Sequence, residues 1–231
     1  IQITNFENNT SYDMHPIRVD DAILNDLKKT EGIKHVEIFA TKPGIIKTDN
    51  DFQGIVLKGI SGDYDWNFFR QNMVEGEIIT MSADSSASNQ VIISKYIANK
   101  LNLKLNDSIT YFIQGPKDIR FRKFHISGIY STNFEDYDKM FVVADIRHIQ
   151  KLNNWDDNQI SGIELLVDDY SKLDNIKDGI FLDMMAHRDS DGNTFFARSI
   201  KELNPMIFNW LDLLDTNVVV IIILMLLVSG F

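Results

Sequence analysis

Apolar residues recur along the chain in two rhythms, alternation in short runs and helical spacing in longer ones. At the N-terminus Ile1, Ile3 and Phe6 stand among polar residues and predict a strand over Ile1–Phe6. Residues 7–16 are polar and irregular. Asp20 is placed to cap a helix running to about Glu31, with Ile23, Leu24 and Leu27 on one face and Gly32 as its stop. Lys34–Ile46 is β-rich and expected to break at Pro43-Gly44, and Phe52–Ile60 reads as another strand. Trp66, Phe68 and Phe69 are expected to pack under a short helix, and Ser82–Ser88 reads as a loop.

Gln90–Ile93 reads as a short strand, and Ser94 as the cap of a helix that turns Ile97, Ala98 and Leu101 inward. Asn102 and Asn106 stand where a helix end and a turn need left-handed backbone, which asparagine adopts best after glycine. Ser108–Ile113 and Arg120–Ser127 form a predicted hairpin about Gln114–Asp118, continued by Gly128–Tyr130, with Phe121, Phe124 and Ile126 on the returning strand. Thr132–Asp138 reads as an acidic aromatic loop, Met140–Ala144 as a buried strand, and Asp145 as the cap of a helix to about Leu152. A strand at Ile160–Val167, a helix at Ser171–Phe181 and a brief strand at Thr194–Ala197 make a second β-α-β in outline. The pattern predicts an α+β chain. Residues 1–60 and 157–204 form an α/β subdomain from both ends, residues 61–156 a mainly β insertion, and residues 205–231 a connector.

That connector is helical by pattern. Ile207, Trp210, Leu211 and Leu214 fall at i, i+3, i+4 and i+7. Such a face either packs on the domain or meets a membrane interface, where an indole often sits. Val218–Val228 reads VVVIIILMLLV without a polar residue. From Val218 to Phe231 a helix covers ~21 Å against the ~30 Å hydrocarbon core. The expectation is the start of a transmembrane helix, cut by the end of the sequence. Ile1 opens abruptly on a strand without a signal peptide, so a preceding segment is expected too.

Charge narrows the picture. The chain has 23 Lys and Arg against 33 Asp and Glu, a net charge of -10, which argues against nucleic acid, whose phosphates need clustered positive charge. It contains no cysteine, so disulfides, thiolate metal sites and cysteine nucleophiles are excluded. No Lys or Arg lies between Pro205 and Phe231, so the soluble part is expected outside the cytoplasm.

Candidate chemistry is sparse. Histidines 15, 35, 125, 148 and 187 have no zinc-ligand spacing. Asp189-Ser190-Asp191-Gly192-Asn193 has calcium-loop composition, but its glycine is early and Ile200 holds the twelfth place, so a tight turn is expected. Glu135, Asp136 and Asp138 read as a solvated acidic loop. No phosphate-binding or serine-nucleophile motif is present, so nucleotide hydrolysis coupled to this chain must occur on another. A non-enzymatic chain without cofactor or metal is expected.

Three blocks carry a resemblance. Asn89–Ile109, NQVIISKYIANKLNLKLNDSI, is similar to V-I-(I/L)-(G/S)-x-x-(L/I)-A-x-x-L-G-L-x-x-G-D-x-(I/V), with Asn102 and Asn106 in place of its glycines. Phe124–Asp145, FHISGIYSTNFEDYDKMFVVAD, is similar to the block that follows, and Ile160–Val167 to the next strand. Together they resemble the extracytoplasmic domain of FtsX-like (MacB-type) ABC transporter permeases. The opening IQITNFENNTSYDMHPI resembles the lipoprotein-releasing LolC/LolE type in particular. The resemblance implies a porter-like α/β part, an inserted sabre-like β part, and a place between the first two transmembrane helices. As partners it implies a cytoplasmic ATPase subunit, a second permease copy or paralogue, lipoprotein cargo and a periplasmic carrier. It implies an inner-membrane protein with this domain in the periplasm.

The LolC type carries a long carrier-capturing hook between the hairpin strands, where this chain has only Gln114, Gly115, Pro116, Lys117, Asp118 and Ile119. That short hairpin is the expected carrier contact, and Ile207, Trp210, Leu211 and Leu214 the expected membrane-proximal cargo face. The alternatives are MacB-like efflux, FtsX-like regulation of cell-wall hydrolases, or a single-span receptor ectodomain.

Overall fold

A computed structural model of the chain describes residues 1–8, 11–82, 86–114 and 118–229. Its first half supplies β1 (Gln2–Asn5), β2 (Ile17–Arg18), α1 (Asp21–Lys29), β3 (Ile33–Lys47), β4 (Phe52–Ile60), α2 (Asn67–Asn72), β5 (Met73–Gly76), β6 (Gln90–Ser94) and α3 (Lys95–Lys100). There follow β7 (Ser108–Gln114), β8 (Ile119–Tyr130), α4 (Glu135–Asp138), β9 (Phe141–Asp145), α5 (Ile146–Asn153), β10 (Gln159–Ile160) and β11 (Gly162–Val167). The chain then forms α6 (Leu173–Ala186), β12 (Phe195–Arg198), α7 (Ile200–Leu203) and α8 (Pro205–Ser229). The fold is α+β.

Local sequence explains the element starts. The Asp20 carboxylate accepts from the Ile23 amide at 2.9 Å, and Ser94 Oγ from the Ile97 amide at 3.1 Å, each satisfying an orphan donor of its helix. Asp145 caps α5 in the same way, and Ser199 with Glu202 forms a reciprocal capping box on α7. Asn102 and Asn106 have φ of 52° and 69°, the left-handed backbone expected of them. Asn106→Ala should therefore cost about 1 kcal/mol and Asn106→Gly almost nothing, read by denaturant unfolding. Equal effects of the two substitutions would mean that the side chain, not the backbone, matters there.

Strand pairing builds two connected structures. β1-α1-β3 and β11-α6-β12 are split β-α-β units that interlock in the order β12-β1-β11-β3, each pair antiparallel. Leu27 of α1 and Ile180 and Met184 of α6 bury against one face of this sheet with Ile3, Val36 and Ile163. The sheet continues from β3 to β4 antiparallel and from β4 to β9 parallel, then through β6, β8 and β5. β7 pairs with both β3 and β8, so the path β3-β4-β9-β6-β8-β7 returns to β3 and closes a ring. Ile46, Leu57, Val91, Tyr111, Phe124 and Val142 fill it in one apolar cluster, with Ile146, Ile149 and Leu152 of α5 packed against them. A second cluster on the outer face of the ring gathers Ile60, Trp66, Phe69, Ile92, Tyr130 and Val143.

Four expectations need correction. β3 does not break at Pro43-Gly44 but runs through it. Pro43 lies where β3 has left β11, which pairs through Phe39, and has not yet reached β7, which pairs from Ile45. Gly44 leaves room for the Tyr111 ring, which stands where a Cβ would. Tyr111 is fixed there by donating its hydroxyl to the Lys42 carbonyl at 2.5 Å. The strand expected at Ile160–Val167 is two strands, because Ser161 steps out of the ladder. Its amide donates to the Phe39 carbonyl at 3.0 Å and its hydroxyl accepts from the Thr41 amide at 2.9 Å. Phe68 points to solvent while Trp66 and Phe69 bury. The acidic stretch contains a helical turn, α4. Of the loop expected at Ser82–Ser88, residues 83–85 lie outside the described residues.

Candidate functional site

α8 is the feature that sets this chain apart from a closed soluble domain. It is one unbroken helix from Pro205 to Ser229, so the amphipathic connector and the apolar run are a single element. Its span Pro205–Leu226 is 22 residues, and none of its most apolar window is buried. At ~1.5 Å per residue that span reaches ~33 Å, enough for a bilayer core. Ile207, Trp210, Leu211 and Leu214 are all exposed, Trp210 at 60%, so their face does not pack on the domain. The reading in which it packs there is thereby overturned. Leaving such a surface in water costs roughly 25 cal/mol per Å² relative to burial, and a lipid environment would relieve that cost.

The short hairpin is partly visible. Gln114 ends β7, Ile119 begins β8 and is 67% exposed, and Asp118 lies 3.6 Å from Arg120. Gly115, Pro116 and Lys117 lie outside the described residues. The hairpin and the Trp210 face belong to different parts of the sheet, the hairpin to β7 and β8 and the Trp210 face to the helix that follows β12. β3 runs away from the hairpin tip, from the level of Phe112 at Ile45 to that of Thr110 at Lys47, and β12, three antiparallel steps from β3, runs opposite to β3 into α7 and α8.

The acidic motifs have structural employment. Asp189 accepts from the amides of Arg18, Asp191 and Asn193 at 2.8, 3.0 and 2.8 Å, and from Asn193 Nδ2 at 2.9 Å. Burial works against its charge, but these donors prevail and hold its pKa below the ordinary carboxylate value. It is the knot of a turn, as expected. Asp138 is buried and not solvated: it accepts from Thr132 N at 3.1 Å and Thr132 Oγ1 at 2.7 Å, while Glu135 and Asp136 remain exposed. His148 is buried, its Nε2 2.9 Å from the Ser88 carbonyl and its ring edge-on to Phe124 at 4.9 Å. His125 shares a 2.9 Å hydrogen bond with Ser108 Oγ. Among the described residues no cluster of His, Asp and Glu could hold a metal.

Asp145 carries a testable pH dependence. Burial raises its pKa, but Arg147 at 2.5 Å and the amides of Ser88 and Arg147 outweigh it, leaving the carboxyl below its ordinary value. A depressed carboxylate stabilises the fold above its unfolded pKa, near 4, and loses that contribution as pH falls through the folded value. Unfolding curves between pH 5 and 2.5 should show stability falling with acid, and Asp145→Asn should flatten that fall. An unchanged slope would remove Asp145 from the acid response.

The sequence did not single out a buried charge cluster on the sheet face opposite α1 and α6. Lys58 Nζ lies 2.7 and 3.0 Å from the two Glu164 oxygens. Glu164 stands directly across from Glu37 on adjacent strands. Glu37 accepts from the Asp65 amide at 2.9 Å and has His35 Nε2 at 3.7 Å. A lone charge inside each apolar strand, as in IVLKGI, HVEIF and GIELL, was the available signal. These groups meet one another and the loop at Asp65, an arrangement that fixes strands and presents no open reaction centre.

Comparison with known proteins agrees with this geometry. The sequence matches no protein-family model and no curated protein. Its structure is similar to the extracellular domain of the noncanonic ABC-type transporter YknZ from Gram-positive bacteria. That match has a TM-score of 0.56 and 16% identity over 86% of this chain and 99% of that one. It is also similar to the periplasmic region of MacB from Actinobacillus actinomycetemcomitans. Here the TM-score is 0.55 and the identity 15%, over 90% of this chain and 92% of that one. The chain has the fold of these extracytoplasmic transporter domains.

Proposed function

We propose that this chain is the outward-facing domain of an ABC transporter permease. α8 anchors it, a separate cytoplasmic ATPase subunit moves it, and its cargo is acylated lipoprotein passed to a periplasmic carrier. The observation that carries the reading is the joining of an extracytoplasmic transporter fold to an exposed 22-residue apolar helix. The lack of Lys and Arg from Pro205 onward supports an outside location, in the periplasm above the inner membrane. In this reading residues 1–60 and 157–204 act as the porter-like part, residues 61–156 as the inserted part, and a second permease copy or paralogue completes the channel. No reacting group is needed, because the work is done by motion.

Ile207, Trp210, Leu211 and Leu214 would form the approach by which acyl chains leave the bilayer. Each CH₂ brought into water costs ~0.8 kcal/mol, so a sheltered path is required. The test is reconstitution of the full-length permease with its ATPase in proteoliposomes loaded with a diacylated lipoprotein. ATP-dependent transfer to a soluble carrier is the expected result. ATP-driven extrusion of small amphiphiles would instead place it with efflux permeases, and recovery of a cell-wall hydrolase activator as its stable partner would place it with FtsX-like regulators.

A further inference from the structure

The outer surface of a closed strand ring faces water and is normally polar at alternate positions. On β3, β7 and β8 one outward row is apolar. Register places Ile45 directly across from Phe112, and Phe112 directly across from Phe121. One step along, Phe52, Lys47, Thr110 and Lys123 form the adjoining row. The Phe112 and Phe121 rings are 6.3 Å apart, and Ile45, Phe52 and Phe121 are 45%, 66% and 55% exposed. Lys47 and Lys123 are exposed in the second row. Among the described residues no carboxylate on these strands is exposed, Glu37 of β3 being buried, in a chain that carries 33 acidic residues against 23 basic ones. The flanking Asp118 is drawn toward Arg120, and Asp51 accepts from the Phe52 amide.

We infer that this face docks a protein partner outside the membrane, one that presents carboxylates beside large apolar side chains. Position excludes lipid as the occupant, an argument that rests on reading α8 as the membrane helix. Arg198, at the root of α7 and α8, is level with Glu37 of β3 through Gln2 and Glu164. Ile45 lies eight residues further along β3, about 26 Å at ~3.3 Å per residue, while the chain leaves β12 in the opposite direction. Charge argues against a second copy: a symmetric contact would set Lys47 and Lys123 against their own kind, between chains of net charge -10. It favours an acidic surface, which the lysines attract and the apolar rows then bury.

The experiment places a photo-crosslinking amino acid at position 121 of the full-length protein in its native membranes, and the protein joined to it is then purified and titrated against the permease in nanodiscs. The expected adduct is one acidic extracytoplasmic protein. Its affinity should fall about tenfold for Lys47→Glu/Lys123→Glu and for Phe112→Ser/Phe121→Ser, with the charge-dependent part weakening in salt. These side chains are at the surface, and unchanged thermal unfolding of the variants shows that folding is intact. Adducts with phospholipid or with the chain itself, no adduct, or an affinity indifferent to charge reversal would each overturn the inference. Carbonate extraction of the same membranes separates the two readings. A chain that stays embedded yet gives no adduct overturns only the docking face, whereas a chain that is extracted overturns the membrane reading and the position argument with it.

Discussion

Lys58→Met is expected to destabilise the fold by about 3–5 kcal/mol, the cost of removing one partner from a buried ion pair. Lys58 is 8% exposed and contacts both Glu164 oxygens. Burial pulls the pKa of Lys58 down, but the Glu164 charge prevails and holds it above the ordinary lysine value. It is thus charged across the physiological range, and its contribution is lost only as pH rises beyond about 10.5. Without it, Glu164 and Glu37 face each other across β11 and β3 as like charges with no buried cation between them. Burial raises the Glu37 pKa above its ordinary value, ahead of the opposing Asp65 amide. Glu37 therefore favours folding when protonated, fully below about pH 4.5 and progressively less as pH rises through its folded pKa. The damage from Lys58→Met should shrink on acidification toward that range, and Glu164→Gln in the same chain should restore part of it. Urea unfolding in detergent micelles measures all three. A loss under ~1 kcal/mol would mean that the pair is worth no more than one at the surface.

Ile222→Arg is expected to cost about 2.5–3.5 kcal/mol of membrane insertion, roughly a hundredfold in the inserted fraction. Ile222 lies within the apolar run of α8, and its neighbours Ile221 and Ile223 are as exposed as it is. The most apolar window of α8 is not buried by the fold, so the environment that α8 enters should set the penalty. Ile222→Leu should cost nothing measurable. A glycosylation-mapping assay of insertion reads both directly. Equal insertion of the two variants would show that α8 docks on protein and not in lipid.

Much of this architecture can be read from residue order, for reasons that are local. Asp20, Ser94 and Asp145 stop and start helices through bonds to amides two or three residues away, and Asn102 and Asn106 declare their backbone by type alone. What escaped detection depends on distant partners. Pro43-Gly44 has the composition of a breaker, yet there the absent N–H falls between two partner strands and the absent Cβ admits Tyr111 from another. Phe121 and Phe124 belong to one predicted strand, but only pairing with β7 shows that Phe124 enters the core and Phe121 faces water. The cluster of Lys58, Glu37 and Glu164 joins strands 21 and 106 residues away from Lys58, and no window of the sequence spans it. The site expectations divide in the same way. The apolar helix is legible from composition, whereas the outward rows around Phe112 need the register of four strands.

β3 is shared by both parts of the fold. It is 15 residues long, a member of the interlocked β-α-β sheet at one end and of the closed ring at the other. At ~3.3 Å per residue its contour is about 46 Å. It is hydrogen-bonded to β11 along its first part and to β4 along its second, overlapping at Phe39, so no hinge of unpaired backbone interrupts it. In the proposed transporter such a strand would act as a lever arm. A tilt of ten degrees imposed at the α8 end would sweep the far end through about 8 Å, so a small rocking at a membrane would become a stroke the size of a side chain at the far end of β3.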